Sequence, residues 1–517
     1  MAYSVTALDA AVLVAVAYLT KRLLWRPRHT LPLPPGPAGV PIIGNVLDLP
    51  QTEPYKTYVQ WGHKYGPIMH VSALGQSLII VNDASIATEL LERRAKLYSE
   101  RPTLPMGGEL SGWDHTLVLL HYDDQWRAYR RHFHTFVGAW GALKRHTSLL
   151  EHEARLLVQR ILRAPDSLDE HIRLAAAGVI MKITYGYDTL PEKDPVVATV
   201  NEATRQFEDV TESSKVWLVD IFPILKHIPI WFPGAGFRKK AAFYKDTIQR
   251  MAQEPFDIVK TRLREHIAEP SMVADLLEKS AHDADEEHDI KWAAASMYSG
   301  GADTTVSTML AFFLCMTMFP EAQRTAQMEI DAVVGHDRLP TLADRPHLPY
   351  IDAIVSEMMR WAPVVPMAIP HKLVQDDTYG GYRLPKGALI IPNVWGMLHD
   401  PEVYANPHDF KPDRFIARDG RPAEPDPRLC FFGFGRRICP GRELADVSVW
   451  IETAVILATL RIGKARDEAG NEITPEARFT NGTITHPEAF RCDIKPRSQH
   501  VNALLTQELT QLHRTRD

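Results

Sequence analysis

The chain has 517 residues, 45% of them hydrophobic and 24% charged, so it can bury a large core and is neither fibrous nor low in complexity. Its formal net charge of −6 lacks the basic excess of a nucleic-acid binder. Four cysteines in so long a chain cannot build a disulfide framework, which points to a reducing compartment.

Residues 5–25, VTALDAAVLVAVAYLTKRLLW, are an apolar run broken by Asp9, Lys21 and Arg22. As a helix it would reach roughly 30 Å, one hydrocarbon thickness. A cleaved secretory signal competes, because Ala15-Val16-Ala17 resembles a cleavage site. Such signals carry positive charge ahead of the apolar run, whereas here Lys21, Arg22, Arg26 and Arg28 follow it. That order predicts a single-pass membrane anchor with basic flank over residues 1–28, the chain after it being cytosolic. The proline-rich stretch that follows, within residues 29–45, excludes helix and reads as a stiff hinge that spaces the next domain from the membrane.

Residues 46–497 contain no linker or repeat. Helical periodicity runs through residues 86–97, 124–137, 146–164, 290–319, 320–334, 350–362 and 442–462, and short β-like runs occupy 67–73, 77–82 and 388–394. The expectation is one large domain, mainly α with a minor β-sheet region. A core of that size needs a reason, and a large buried cofactor would supply it. Residues 498–517 form a tail to which the sequence assigns no role.

Several motifs carry chemistry. Trp126 and Arg130 stand four apart on one helical face. The stretch 290–319 carries SGGADTT, with Gly300, Gly301, Asp303 and Thr304. A transmembrane helix with that polar centre would be costly. Alternatively, the glycines end one helix and Asp303 caps the next. Glu357 and Arg360 form E-x-x-R on one face, a pattern that by itself usually marks a solvated surface pair. In LCFFGFGRRICPGRELADVSVW (429–450), Phe432, Gly435, Arg437, Cys439 and Gly441 are spaced F-x-x-G-x-R-x-C-x-G. Gly435 would let the backbone turn tightly and approach a flat ligand. Phe432 would shield a metal-bound sulfur. Cys439 falls just before a helix starting near Gly441, whose dipole favours a thiolate. Arg437 offers a fork for a carboxylate. Cys430 lacks this frame and reads as packing.

On these residues the chain resembles the cytochrome P-450 family from the anchor to about residue 497. The resemblance implies the cytochrome P-450 fold with an N-terminal transmembrane anchor, and haem b with Cys439 as axial thiolate. It implies haem contacts from Phe432, Gly435, Arg437 and Gly441, and propionate contacts from Trp126, Arg130 and His371; for His371 a satisfied surface histidine is the competing reading. Glu357 and Arg360 would be joined by Arg414 of Pro412-Asp413-Arg414-Phe415 in a structural triad. The 290–319 helix would cross the haem face, loosened at its glycines, with Thr304 beside bound dioxygen and Asp303 delivering protons. The implied activity is insertion of one oxygen atom from O2 into a neutral hydrophobic molecule, as a tailoring step of fungal secondary metabolism on a terpenoid, polyketide or indole.

No nucleotide-binding fingerprint is present. The implied electron donor is therefore a separate NADPH–cytochrome P-450 reductase, or cytochrome b5, docking on a basic face of Arg127, Arg131, Arg436 and Arg442, at the endoplasmic reticulum membrane. Two other classes would keep Cys439: a haem-thiolate isomerase or dehydratase acting on peroxides, which needs no Asp303–Thr304 pair, and a non-catalytic haem-binding protein.

Overall fold

The computed structural model describes residues 31–514 apart from 192, 213–214, 216, 281–282 and 419; the expected anchor over residues 1–28 lies outside the described residues. The longer elements, in chain order, are α1 (Pro54–Tyr65), β1 (Ile68–Ala73), β2 (Gln76–Val81), α2 (Asp124–Phe136), α3 (Thr147–Arg163), α4 (Leu168–Tyr185), α5 (Pro195–Thr211), α6 (Gly236–Arg264), α7 (Ala284–Met318), α8 (Pro320–Val333), α9 (Pro349–Trp361), β3 (His371–Lys372), β4 (Leu389–Pro392), α10 (Arg442–Thr459), β5 (Leu460–Arg466), β6 (Cys492–Pro496) and α11 (Val501–Arg514). The fold is mainly helical with small sheets, as expected.

The caps that set these helices are legible chemistry. Asp123 accepts the Trp126 N–H at 2.9 Å and starts α2. Pro320 and Pro349 sit in the first turns of α8 and α9, where a missing N–H costs nothing. Helix α7 is long and apolar enough to cross a membrane, but most of it is buried inside the protein, against α4 above all. It runs unbroken through Gly300 and Gly301, so the glycines neither end a helix nor interrupt it. Gly301 instead lets α4 approach closely, since a Cβ there would lie 2.6 Å from the Ile180 methyl.

Several readings differ from expectation, and α7 begins at Ala284 rather than near residue 290. Residues 86–97 are not one helix: a turn at Ala84–Thr88 passes into a wide, π-type turn at Glu89–Arg93 and then Ala95–Tyr98. The expected helix to residue 462 stops at Thr459. There Leu460 and Ile462 bury on alternate positions and pair antiparallel with β6. The proline-rich segment is not a free-standing spacer in the part described. Asn45 donates its N–H to Ser72 O and receives the Ser72 N–H on Oδ1, and His70 N–H reaches Pro35 O at 3.0 Å, fastening residues 35–45 along β1. The tail is part of the fold as well. Val501, Leu505 and Leu509 bury one face of α11, and Glu508 pairs with Arg155 of α3 at 3.3 Å.

β2 is the centre of the main sheet, pairing antiparallel with β1 and parallel with β4, which in turn takes β3. This sheet carries His371 to the edge of the large cavity described next.

Candidate active site

A cavity of about 340 Å³ is enclosed by α2, α4, α7, α10 and the loop that precedes α10. Cys439, Phe432, Gly441 and Arg437 line it from that loop, Trp126 and Arg130 from α2, His371 from β3, and Thr304 from α7. Eight of the expected haem-site positions therefore meet on one cavity.

The loop geometry follows from its residues. The Cys439 N–H donates to Phe432 O at 2.8 Å, closing a turn that presents the thiol. Gly441 caps α10, so the sulfur sits at a helix N-terminus. Burial pushes the Cys439 thiol up, while the Gly441 N–H and the charges of Arg130 and Arg442 act the other way. Gly435 adopts φ 56°, but it does not line the cavity. A Cβ there would lie 2.2 Å from Leu91 O, so the close approach that demands glycine is to the wide turn at 89–93 and not to a flat ligand. Cys430 is buried among Leu91, Met397 and Leu398, away from the cavity lining.

One end of the cavity is strongly cationic. Arg437 donates to Ser99 O and Leu120 O at 2.8 Å each and stacks over the Trp126 ring at 4.9 Å. Arg130 donates to Ile438 O at 2.6 Å. Arg101, 5% exposed, donates to Ile369 O and Pro370 O at 2.6 and 2.8 Å. Among the described residues no carboxylate lies within ion-pairing distance of these three guanidiniums. Burial lowers all three, Arg437 to about 10 and Arg101 well below its ordinary value. Buried cations supported only by neutral carbonyls fit an anionic ligand, and the two carboxylates of haem meet that need. His371 is 4% exposed, not a surface residue, and bonds Tyr98 O through Nδ1 at 2.7 Å. Burial, then the Arg101 charge, pushes it well below its ordinary value.

Thr304 donates its hydroxyl to Gly300 O at 2.8 Å, and Thr305 donates to Gly301 O at 2.8 Å. Such back-bonding to the previous turn strains α7 locally without breaking it. Asp303 does not line the cavity. Its carboxylate is 6% exposed and pairs with Arg173 at 2.8 Å and His486 at 3.0 Å. Glu357, Arg360 and Arg414 meet in the interior away from the cavity. Arg360 Nε lies 2.7 Å and Arg414 Nε 3.1 Å from Glu357 Oε2. Arg127, Arg131, Arg436 and Arg442 are all exposed, with Arg127 and Arg442 paired to Asp124 and Glu443.

Sequence reasoning missed Arg101 and Glu452. Arg101 stands in an ordinary Arg-Pro dipeptide with no spacing to mark it. Glu452 falls on α10 at an otherwise apolar position; it lines the cavity, and burial followed by Glu153 pushes its carboxyl up to about 8. Only the Trp126–Arg130 spacing hinted that cations would gather here.

The profile of the cytochrome P450 family matches residues 34–487. Over 98% of both chains, this chain is 46% identical to "Cytochrome P450 monooxygenase 208" of Postia placenta. It is 42% identical to "Cytochrome P450 monooxygenase claR" of Ampulloclitocybe clavipes over 97% of this chain and 93% of that one. It is 41% identical to "Cytochrome P450 monooxygenase ppsD" of Aspergillus oryzae, covering 92% and 90%. A match of this extent, on a cavity that offers a cysteine and unpaired buried cations to one ligand, makes the chain a member of the cytochrome P450 family of monooxygenases, which hold haem through a cysteine thiolate and take their electrons from a redox partner.

Proposed function

We propose that Cys439 is the axial thiolate ligand and that the enzyme hydroxylates, or further oxidises, a neutral hydrophobic small molecule. The observation that carries the first part is the meeting of Cys439 and the unpaired Arg101–Arg130–Arg437 group on one cavity. The second part rests on the lining beyond them. Trp113, Leu117, Val364, Ala368, Ile369 and Ile484 form apolar walls, and polar groups among them such as Ser296 are satisfied within the protein, at 2.6 and 2.9 Å. Glu109, four positions before the wall residue Trp113, does not line the cavity and pairs instead with Lys226 at 2.5 Å. Haem, when bound, supplies the dioxygen chemistry; the chain's part is to bind, orient and deliver protons.

This reading includes a tailoring step in secondary metabolism on a terpenoid, polyketide or indole; the fungal monooxygenases among the relatives support its reaction class. The charge order around residues 5–25 supports a single-pass anchor in the endoplasmic reticulum membrane. The exposed Arg127, Arg131, Arg436 and Arg442 support docking of an acidic reductase, or of cytochrome b5. Reconstitution tests these together. Membranes holding the full chain, given reductase and NADPH, are expected to oxidise neutral apolar compounds from a mixed panel. Oxidation of charged compounds alone, or activity confined to the soluble fraction, would overturn the substrate or the membrane part respectively.

Thr304 offers its hydroxyl to the cavity, and Asp303 is the neighbouring acid that relays protons from solvent. Thr304→Ala should still bind haem and substrate and still consume NADPH, while product per NADPH falls and hydrogen peroxide rises. Asp303→Asn should lower kcat by about 100-fold with little change in substrate affinity. Full coupling in Thr304→Ala would favour the isomerase reading instead.

A further inference from the structure

His486 belongs to a segment that the cavity and α7 share. Residues 479–487 fold back on themselves: Thr480 N–H donates to His486 O at 2.9 Å, and His486 N–H donates to Thr480 Oγ1 at 3.0 Å. Thr483 and Ile484 of this loop line the cavity. Thr483 also donates to Thr211 O on α5 at 3.1 Å. Thr485 O accepts the Ser307 hydroxyl of α7, and the Thr485 N–H reaches Val364 O at 2.8 Å. The next side chain, His486, points Nε2 at Asp303 Oδ2, 3.0 Å away, and at Glu208 Oε1 of α5, 3.5 Å away. Its buried Nδ1 has no partner, so the ring is oriented by the two carboxylates alone.

We propose that His486 is a positioning residue for Asp303: as a cation it clamps that carboxylate to the cavity-lining loop 479–487 and to α5, so that the seating of Thr483 and Ile484 around a substrate sets where the acid beside Thr304 is held. This rests on the reading of Asp303 as the proton-relaying acid. The groups around His486 fit the assignment. Asp303 faces it from α7 and Glu208 from α5, while Arg173 of α4 holds the other Asp303 oxygen at 2.8 Å and is itself paired with Asp169 at 2.9 Å. Hydrogen bonds and charge from Asp303 and Glu208 outweigh burial and raise the imidazole to about 9; Asp303, buried but paired with His486 first and Arg173 next, is held below its ordinary value. Glu208, Asp303 and His486 also bring ligand-type atoms within 4.8 Å of one another, but the Arg173 guanidinium already occupies Asp303 and disfavours a second cation.

Because the folded-state value of His486 lies above its ordinary 6.5, its contribution to stability is complete below pH 6.5 and is lost as pH rises through about 9. The test compares wild type with His486→Gln as holoenzymes. The unfolding midpoint of wild type is expected to fall relative to the variant between pH 6.5 and 9, a difference that shrinks in an Asp303→Asn background. With reductase, His486→Gln should lose kcat roughly tenfold, the scale for loss of an orienting partner, while the substrate dissociation constant read from the haem spectrum stays within about twofold of wild type.

Parallel pH–stability curves would overturn the proposal, as would lost affinity with unchanged kcat, which would make the loop merely structural. If Asp303→Asn keeps full kcat, the proton-relay reading fails by itself, and the pH–stability arm still decides whether His486 is charged by Asp303. Should His486→Gln not accumulate as holoenzyme, Glu208→Gln replaces it. Its loss of stability above pH 6.5 should be smaller and should end at lower pH than in wild type, and an unshifted curve overturns the proposal.

Discussion

Cys439→Ala is expected to abolish the red-shifted Soret band of the reduced, carbon-monoxide-bound protein, and monooxygenase turnover with it, whereas Cys430→Ala leaves both intact. The two thiols are nine positions apart, and both are raised by burial, so burial alone does not choose between them. Cys430 is pushed up to about 11 by burial and then by Asp83, packs among apolar side chains, and does not line the cavity. Cys439 lines it, two residues ahead of the cap of α10, with the Gly441 N–H and the charges of Arg130 and Arg442 favouring the thiolate. Loss of the band in Cys430→Ala with retention in Cys439→Ala would reverse the assignment.

What could be read from the sequence was whatever depends on neighbours along the chain. The F-x-x-G-x-R-x-C-x-G frame works through a local turn, so its residues line one cavity except Gly435, whose constraint comes from Leu91, more than 300 positions earlier. The helices bounded by Asp123, Pro320 and Pro349 were legible because those ends are chemical. Helix α4 was not, since from Ala175 onward it is buried nearly all round and shows no amphipathic stripe. Helix α6 carries Pro255 in its interior, which reads as a break and is accommodated in the fold. Arg101, Glu452 and the pairing of Asp303 with His486 are products of tertiary approach. The spacing around Asp303 announced an acid beside a threonine, but not that the acid would be turned from the cavity into a pair with Arg173 and His486.

The second large effect is expected in stability rather than chemistry. Glu357→Ala should destabilise the fold by about 3–5 kcal/mol, the scale for stripping one partner from a buried ion pair, and should reduce haem retained on purification. Glu357 and Arg360 are each 0% exposed. Arg360 meets Glu357 through Nε at 2.7 Å and Nη2 at 2.9 Å, and its remaining donors reach the carbonyls of Leu398, Pro407 and Asp409. The same carboxylate takes Arg414 Nε and the Lys411 N–H, tying α9 to the stretch that leads toward the cysteine loop. Removing it leaves the Arg360 guanidinium buried with hydrogen bonds but no counter-charge, and costs Arg414 one of its two acids, the other being Glu424 at 2.7 Å. Glu357→Gln separates these contributions: it keeps an acceptor for one guanidinium and loses the charge, so it should fall between wild type and Glu357→Ala. The exposed Arg127–Asp124 pair is the control, since Asp124→Ala should shift stability by about 1 kcal/mol or less. Denaturant unfolding followed by far-ultraviolet circular dichroism, with haem content measured in parallel, reads all three. Equal stability of Glu357→Ala and Asp124→Ala would show that the buried triad contributes no more than a surface pair.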